Sequence, residues 1–205
     1  MRAGPKDTDL APVPSGREAV LVPVKAFDQA KRRLAGALSP ARRAELARLM
    51  ATRVVESAAG LPVAVVCDDR GVAAWARGLG AAVIWEPGRG LNGAVQVGVA
   101  RLREAGVGLV VVAAGDLPLA RDLRWVAGFE GVTIVPDRRS DGTNVIAVPS
   151  SCGFGFSYGP GSFARHLGEA RRLGVPVRVV YSSALGWDVD VPDDLAAVNS
   201  GSPTF

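Results

Sequence analysis

The feature that most constrains the fold of this chain is a short apolar run that ends in an acidic residue. Residues 110–114 read Val-Val-Val-Ala-Ala, and Gly115 and Asp116 follow directly. A continuous apolar run of this length is typical of a strand that is buried on both faces, as in a parallel sheet. A carboxylate at the end of such a strand is partly desolvated, so it needs a cation, a ligand or water. The run therefore predicts a parallel sheet with a polar site at its carboxyl edge.

Strand-like and helix-like segments alternate along most of the chain. This alternation predicts an α/β fold with a mostly parallel central sheet and helices on both faces. In open sheets of this kind, ligands bind outside the carboxyl ends of the strands. The strands are predicted at residues 19–24, 61–69, 81–86, 108–114, 131–137, 144–150 and 175–182, and helices at 40–54, 71–80, 91–106, 120–129 and 162–172, with a last one after Asp190.

Length and composition predict one globular domain. The chain has 205 residues, of which 48% are hydrophobic and 21% charged, so a sizeable core is available. We expect residues 1–18, rich in Pro, Gly and charge, to be a disordered leader, and residues 19–205 to form the domain. The sequence has no signal peptide and no apolar run of about 18 residues, so no membrane span is expected. Cys67 and Cys152 have no metal-like spacing, which fits a cytoplasmic location.

The charged residues exclude two classes of function. The formal net charge is only +4 and aromatic residues make up 6% of the chain, which argues against a nucleic-acid-binding surface. The chain has one histidine, His166, so a multi-histidine metal site is excluded. Any metal chemistry must therefore depend on carboxylates.

Three aspartates form a candidate metal site. Asp188 and Asp190 are two residues apart, so in an extended segment their side chains point the same way. With Asp116 they would supply the hard oxygen ligands that Mg²⁺ prefers, and three bare carboxylates could not share a dry site without a cation. The alternative for Asp190 is a helix N-cap, since Pro192 follows it.

A basic segment after the first predicted strand is a candidate site for a triphosphate. It contains Lys25, Lys31 and Arg33. The chain has only three lysines, and two of them are in this segment. Lysine acts as a point charge toward phosphate, and arginine acts as a fork. The segment lacks the Walker pattern of P-loop proteins. The alternative is a solvated basic loop.

A glycine-rich loop precedes the predicted helix 162–172. Gly159 and Gly161 let the backbone come close to a ligand, and helix amides with the Ser162 hydroxyl could bind an anion. The string also matches a dinucleotide fingerprint, but it does not follow the first strand, so we reject that interpretation. The alternative is an ordinary serine N-cap. His166 lies one turn into the helix, where we expect it to pack or to hydrogen-bond.

Six segments together resemble the guanylyltransferases of deazaflavin (coenzyme F-420) biosynthesis, which use 2-phospho-L-lactate or phosphoenolpyruvate. The resemblance covers roughly residues 19–198. Its "GDLPL" and "DVDVPDDL" segments alone would indicate only the wider nucleotidyltransferase class, such as the molybdenum-cofactor guanylyltransferases. The segments are "VPVK…AKRRLAGALSPARR", "GLNGAV", "GDLPL", "DGTNVIAVP", "YGPGSFARH" and "DVDVPDDL".

The resemblance implies a single-domain GT-A-like (Rossmann-like) nucleotidyltransferase fold. It implies that GTP and a phosphorylated three-carbon acid react, with release of pyrophosphate. Mg²⁺ would be bound by Asp116, Asp188 and Asp190. The sequence leaves the oligomeric state open, with a homodimer as one option. The three-carbon acid would be bound by Thr143, Gly159 and Ser162, and the nucleotide by Lys25, Lys31, Arg33 and Asn92.

The composition resembles that of a high-GC bacterial member, so we expect phosphoenolpyruvate as the acid. The rivals are 2-phospho-L-lactate and, more distantly, 3-phospho-D-glycerate. Two other classes of protein remain as alternatives. They are a metal-dependent glycosyltransferase, which would use the same kind of sheet, and a non-catalytic nucleotide sensor.

Overall fold

The computed structural model describes residues 17–190 and 192–194, which form one seven-stranded sheet covered by helices. The strands are β1 (Glu18–Pro23), β2 (Val63–Cys67), β3 (Ala82–Trp85), β4 (Leu109–Ala113), β5 (Val132–Pro136), β6 (Thr143–Pro149) and β7 (Val177–Val179). The helices are α1 (Pro40–Glu56), α2 (Arg70–Gly78), α3 (Gly90–Glu104), α4 (Arg124–Ala127) and α5 (Ser162–Arg172). Two 3-10 turns, Phe27–Gln29 and Arg32–Leu34, follow β1.

The sheet has the strand order β3-β2-β1-β4-β6-β5-β7. All neighbouring strands are parallel except at β6, which runs antiparallel to both β4 and β5. The apolar run 110–113 forms the buried part of β4 at the centre of the sheet, with every residue at most 1% exposed. The predicted α/β fold with a mostly parallel sheet is therefore confirmed.

The helices cover both faces of this sheet, as expected. Helices α1, α2 and α4 pack on one face and α3 and α5 pack on the other. Helix α1 begins as predicted, because the Ser39 hydroxyl accepts a hydrogen bond from the Arg42 amide and Pro40 occupies the first helical position. On the other face, Gly98 lets α3 approach β1 closely, since a Cβ there would lie 2.6 Å from Leu21 Cδ2.

The described residues include only part of the domain boundaries that were expected from the sequence. Strand β1 begins at Glu18, which was expected to belong to the leader, and residues 1–16 lie outside the described residues. Residues 192–194 are helical, as predicted, while residue 191 and the rest of the C-terminal segment also lie outside. Across the part of the chain that is described, no helix is both long and apolar enough to span a bilayer.

The carboxyl edge of the sheet gathers the polar residues that follow the strands. Lys25, Asp116 and Asp137 follow the parallel strands β1, β4 and β5, so they lie at the same edge. Strand β6 runs the other way, so its first residue, Thr143, is at this edge too. The Ala114 amide donates a hydrogen bond to the Asn144 carbonyl oxygen at 2.8 Å, which places the start of β6 beside the end of β4.

Candidate active site

Lys31 forms an ion cluster with two of the predicted metal ligands. Its Nζ lies 2.6 Å from Asp116 Oδ2 and 3.1 Å from Asp190 Oδ1. The Lys31 side chain is 8% exposed, whereas those of Asp116 and Asp190 are 31% and 39% exposed. Arg33 adds a longer contact of 3.3 Å to Asp190 Oδ2 from the protein surface. The cation that Asp116 needs is thus supplied from 85 residues earlier in the chain.

The backbone and the charges of the cluster both hold Lys31 in this place. Lys31 has a φ of 52° at the start of the second 3-10 turn, a left-handed conformation that is uncommon for a residue with a Cβ. Burial acts to lower the pKa of the Lys31 ammonium, but the carboxylates of Asp116 and Asp190 raise it above its ordinary value. Lys31 therefore stays charged at neutral pH.

Asp188, the third predicted ligand, is half-buried beside this cluster. Its Oδ1 atom is buried and has no hydrogen-bond partner among the described residues. Burial, together with the nearby carboxylate of Asp116, raises the pKa of Asp188 above its ordinary value. An unpartnered buried carboxylate oxygen costs free energy, so this atom is suited to binding a cation.

The three carboxylates have the donor chemistry of a hard-metal site, but they do not form a preassembled one. Within residues 17–190 and 192–194, no three carboxylate, thiol or imidazole side chains are grouped so that they could hold a metal ion. The Lys31 ammonium lies between Asp116 and Asp190 instead. Oxygen ligands of this kind suit Mg²⁺ or Mn²⁺. A metal would have to displace the ammonium from at least one carboxylate.

A buried aspartate near the C-terminal end anchors Asp190. Asp194 is fully buried and pairs with both Arg138 and Arg139 from the loop between β5 and β6. Its Oδ2 accepts a hydrogen bond from the Asp190 amide at 2.8 Å. The guanidinium of Arg138 also lies over the Trp187 ring, 4.3 Å from its centroid. These contacts fix the segment that carries Asp188 and Asp190 against the sheet.

Two neighbouring cavities open at the carboxyl edge. The first has a volume of about 460 Å³ and is lined by Lys31, Arg33, Asp116, Tyr158 and Asp190, among others. The second, of about 470 Å³, is lined by Asp68, Asp69 and Glu86. Lys25 is exposed and lines both cavities, so its ammonium can reach a ligand that extends from one to the other.

Asn92 lies in the first turn of α3 and binds the backbone of Tyr158. Its Oδ1 accepts a hydrogen bond from the Tyr158 amide at 2.7 Å, and its Nδ2 donates to the Tyr158 carbonyl oxygen at 3.5 Å. Both ends of the Asn92 amide thus hold the loop before α5. The Tyr158 hydroxyl is buried without a hydrogen-bond partner among the described residues, and its ring lines the first cavity. Asn92 therefore positions this tyrosine, and its contact with the nucleotide stays a prediction.

The structure brings Thr143 and Ser162 together at the start of β6. The Thr143 amide donates a hydrogen bond to Ser162 Oγ at 3.0 Å, and both residues are at most 5% exposed. Gly159, with a φ of 117°, closes the loop beside them, because the Ser162 amide donates to its carbonyl oxygen at 3.0 Å. The three residues expected to bind the acid therefore form one group.

The first amides of α5 are already used inside the protein. The Gly161 amide donates to Asp141 Oδ1 at 3.1 Å, and the Phe163 amide donates to the Asp141 carbonyl oxygen at 3.0 Å. The Ser162 amide is bound to Gly159, and Ser162 makes no side-chain cap. The helix amides that were predicted to bind an anion therefore have protein acceptors here, and binding of the acid by Ser162 stays a prediction.

A comparison of the chain with models of known protein families decides its family. The model described as "Guanylyl transferase CofC like" matches residues 18–200. The chain belongs to this family. The resemblance inferred from the six segments is thereby confirmed, and it extends over almost the whole chain. Membership in the CofC-like family makes the protein an enzyme of the nucleotidyltransferase kind and implies a role in coenzyme F-420 biosynthesis.

Individual proteins are similar to this CofC-like chain in sequence or in fold. The phosphoenolpyruvate guanylyltransferase of Rubrobacter xylanophilus is 42% identical over 190 residues, which cover 88% of this chain and 92% of the relative. A nucleotidyl transferase from Methanothermobacter superposes with a TM-score of 0.62 at 18% identity, over 91% of this chain and 97% of that one. A Mycobacterium tuberculosis H37Rv protein in complex with manganese superposes with a TM-score of 0.56 at 17% identity, over 92% of this chain and 100% of that one.

Two residues of the CofC-like site were not identified as central by the sequence. Lys31 was one of three basic candidates for the triphosphate, and its pairing with Asp116 could not be read from residues 85 positions apart. Asp194 follows Pro192 and resembles an ordinary first-turn acid. The one available signal was that "DVDVPDDL" contains four acids within seven residues, more than a single metal ion would use.

Proposed function

We propose that this CofC-like enzyme joins GTP to phosphoenolpyruvate, with release of pyrophosphate, to give enolpyruvyl-2-diphospho-5'-guanosine. The observation that carries the proposal is the ion cluster of Lys31, Asp116 and Asp190 on the wall of the first cavity. It puts an exchangeable cation beside carboxylates at the carboxyl edge, where nucleotides bind in sheets of this kind. The name of the Rubrobacter relative supports the choice of acid.

The reaction is a displacement at phosphorus. A phosphate oxygen of phosphoenolpyruvate attacks the α-phosphorus of GTP and forms a new phosphorus–oxygen bond. The bond from that phosphorus to the bridging oxygen of the β-phosphate breaks, and its electron pair leaves with pyrophosphate. The attacking phosphate is anionic at neutral pH, so no general base is required. The enzyme's task is therefore to position two anions and to stabilise the charge that develops between them.

The basic residues would hold the triphosphate. Lys25 lines both cavities, and Lys31 and Arg33 line the first, so the three can surround one polyphosphate chain. Asp116, Asp188 and Asp190 would hold a divalent cation, and we expect Mg²⁺. When bound, this cation would neutralise phosphate charge and act as a Lewis acid. Lys31 would then be released from the carboxylates toward the phosphates.

Thr143, Gly159 and Ser162 would hold the three-carbon acid. The hydroxyl groups of Thr143 and Ser162 lie on the β6 side of Asp116, opposite the basic segment that follows β1. The nucleotide and the acid would therefore approach the metal-binding carboxylates from two sides, as a reaction between two anions requires. A cytoplasmic location and a homodimer remain predictions.

The experiment that tests this proposal is the mass of the product. The purified chain would receive GTP, Mg²⁺ and an equal mixture of phosphoenolpyruvate and 2-phospho-L-lactate, with 3-phospho-D-glycerate in a separate reaction. We expect the enolpyruvyl product to predominate and pyrophosphate to appear in equal amount. Predominance of the lactyl product would overturn the choice of acid only. Absence of any guanylyl product would overturn the proposed activity, and the Asp116→Asn variant is the matched inactive control.

Two other classes of protein give different results in this assay. A glycosyltransferase would release a nucleoside diphosphate from a sugar nucleotide and would give no pyrophosphate from GTP. A nucleotide sensor would bind GTP without turnover. The buried Asp188 oxygen without a partner favours an enzyme over a sensor, because it costs stability that nucleotide binding alone does not require.

A further inference from the structure

His166 is buried beneath the loop that carries Tyr158 and Gly159, and the proposed reaction does not use it. Its side chain is fully buried on α5. The rings of Phe154, Phe156 and Tyr158 surround it, with centroid distances of 5.8, 6.3 and 4.9 Å. A histidine in such a place costs stability unless both ring nitrogens are bound. Its two hydrogen bonds therefore show what it does.

The two ring nitrogens of His166 have opposite partners. Nε2 lies 2.9 Å from the Ser157 backbone nitrogen, and Nδ1 lies 3.0 Å from Thr143 Oγ1. A backbone amide can only donate, so Nε2 must be the unprotonated acceptor. Burial, together with the positive charge of Arg165, lowers the pKa of His166 to about 4, so the ring is neutral at physiological pH. In the neutral ring the proton is then on Nδ1, which donates to Thr143.

This tautomer sets the direction of the Thr143 hydroxyl proton. Because Oγ1 accepts from His166, the hydroxyl cannot donate its own proton back to the ring. The Thr143 amide is bound to Ser162 Oγ, and among the described residues no acceptor is within hydrogen-bond distance of the Thr143 hydroxyl proton. The proton is therefore without a protein acceptor, at the edge of the sheet where Asp116 lies.

We propose that His166 is a positioning residue for the three-carbon acid, because it fixes the Thr143 hydroxyl as a donor toward an anionic oxygen of that acid. The inference rests on one part of the proposed function, the binding of the acid by Thr143. It explains why a buried polar ring occupies an otherwise aromatic cluster. His166 does not touch the reacting atoms, so substitution should change the binding of the acid and leave that of the nucleotide.

Two substitutions separate the two hydrogen bonds of His166. In His166→Asn, the amide nitrogen takes the place of Nδ1 and can still donate to Thr143, while the bond to Ser157 is lost. In His166→Gln, the amide oxygen takes the place of Nε2 and can still accept from Ser157, while the donor to Thr143 is lost. We expect His166→Gln to raise the KM for phosphoenolpyruvate about tenfold, with the KM for GTP within about twofold of the wild-type value. His166→Asn should change neither KM by more than about threefold.

A double variant shows whether the effect passes through Thr143. In a Thr143→Val background the hydroxyl is absent, so adding His166→Gln should not raise the KM for phosphoenolpyruvate further. If it does, or if His166→Gln raises both KM values equally, His166 has only a structural role and the proposal is wrong. Thermal unfolding of each variant identifies a general loss of the fold. Thr143→Ser keeps the hydroxyl, so its KM for phosphoenolpyruvate should be close to the wild-type value.

A measurement on the wild-type chain does not depend on any variant folding. The chain has one histidine, so its ¹⁵N imidazole spectrum is unambiguous. We expect a neutral ring with the proton on Nδ1 from pH 5.5 to 8, and a change in the Nδ1 signal on addition of phosphoenolpyruvate but not of GTP alone. A ring protonated on Nε2, or charged at pH 7, would overturn the proposal. If the wild type binds the acid in this way but makes no product, the proposed function fails and this inference stands.

Discussion

The two groups of residues on either side of Asp116 are held in opposite ways. On the β1 side, Lys31 contacts Asp116 and Asp190 through full charges. On the β6 side, Thr143, Ser162 and His166 are joined by neutral hydrogen bonds. Ionic contacts have little directional preference and can be exchanged for a metal or a phosphate, whereas a chain of donors and acceptors has one arrangement. The first group is therefore suited to exchanging ligands and the second to recognising a shape.

The difference also appears in solvent exposure. Asp116 and Asp190 are 31% and 39% exposed, while Thr143, Ser162 and His166 are at most 5% exposed. The ion cluster should therefore respond to salt and to divalent ions, because solvent ions reach it. The neutral group should respond only to changes that alter its shape or its protonation. Four predictions test this contrast.

The largest effect is expected for Asp116→Asn, which keeps the shape of the side chain and removes its charge. We expect kcat for guanylyl transfer to fall about 10³-fold, because several kcal/mol of charge stabilisation are lost. Circular dichroism and thermal unfolding should show a folded protein. The substitution removes one of several neighbouring carboxylates, so their repulsion is reduced. Activity close to the wild-type value at saturating Mg²⁺ would mean that Asp116 binds no metal.

The next effect concerns the stability of the neutral group in acid. The folded-state pKa of His166 is about 4 and its ordinary value is 6.5, so the unfolded chain binds a proton first as the pH falls. The free energy of unfolding should then decrease from pH 6.5 toward pH 4, by about 3 kcal/mol in total. The charges that act on the ring, from Arg165 and Glu169, oppose each other. Urea titrations at several pH values give the free energy of unfolding as a function of pH. This free energy should fall more steeply toward pH 4 in the wild type than in His166→Gln, and an equal fall in both would contradict the prediction.

A smaller effect is expected for Lys31→Met. The substitution leaves Asp116 and Asp190 without their ammonium, so we expect the free energy of unfolding to fall by about 2 kcal/mol without metal. If Mg²⁺ binds the same carboxylates, it should raise the Tm of Lys31→Met more than that of the wild type, because it no longer competes with Lys31. Arg33→Ala is the matched control, since Arg33 is 73% exposed. An equal Tm shift in all three proteins would show that Mg²⁺ does not bind at this cluster.

The smallest effect is expected for Lys25→Ala. Lys25 lines both cavities from the end of β1, so its loss should raise the KM for GTP about tenfold and leave that for phosphoenolpyruvate within about twofold. Steady-state kinetics with each substrate varied in turn measure both values. A change confined to phosphoenolpyruvate would assign Lys25 to the acid side of the site.

The sequence predicted the parts of the site that depend on strand ends. The apolar run before Asp116 and the spacing of Asp188 and Asp190 indicated carboxylates near one edge, because parallel strands end together. Lys31 could not be paired with Asp116 in this way. The contact depends on a left-handed residue and on a turn whose path is set by tertiary packing. The spacing of β6 likewise did not show that Thr143 would meet His166.

Two further residues show why polar side chains were harder to interpret than strands. Asn92 is a predicted nucleotide ligand, and its position in the sequence did not indicate that it also binds the Tyr158 backbone across 66 residues. Asp194 has the position of a first-turn acid, yet it is buried under two arginines. Periodicity shows which apolar residues share a face, but a polar side chain can satisfy its hydrogen bonds with many different partners. Only the packed structure selects one.

The reversed direction of β6 has a consequence for the loop that precedes this strand. Because β6 runs against its neighbours, it enters the sheet from the edge at which the other strands end, and it brings the loop before it to the same edge. That loop is closed on itself, since the Asp137 carboxylate accepts hydrogen bonds from the amides of Arg139, Asp141 and Gly142 at 2.9–3.0 Å. Its Arg138 and Arg139 also pair with Asp194, so the loop joins the start of β6 to the segment that carries Asp188 and Asp190. A loop exchanged at residues 138–142 would therefore have to keep both arginines if the carboxylates of Asp188 and Asp190 are to stay in place.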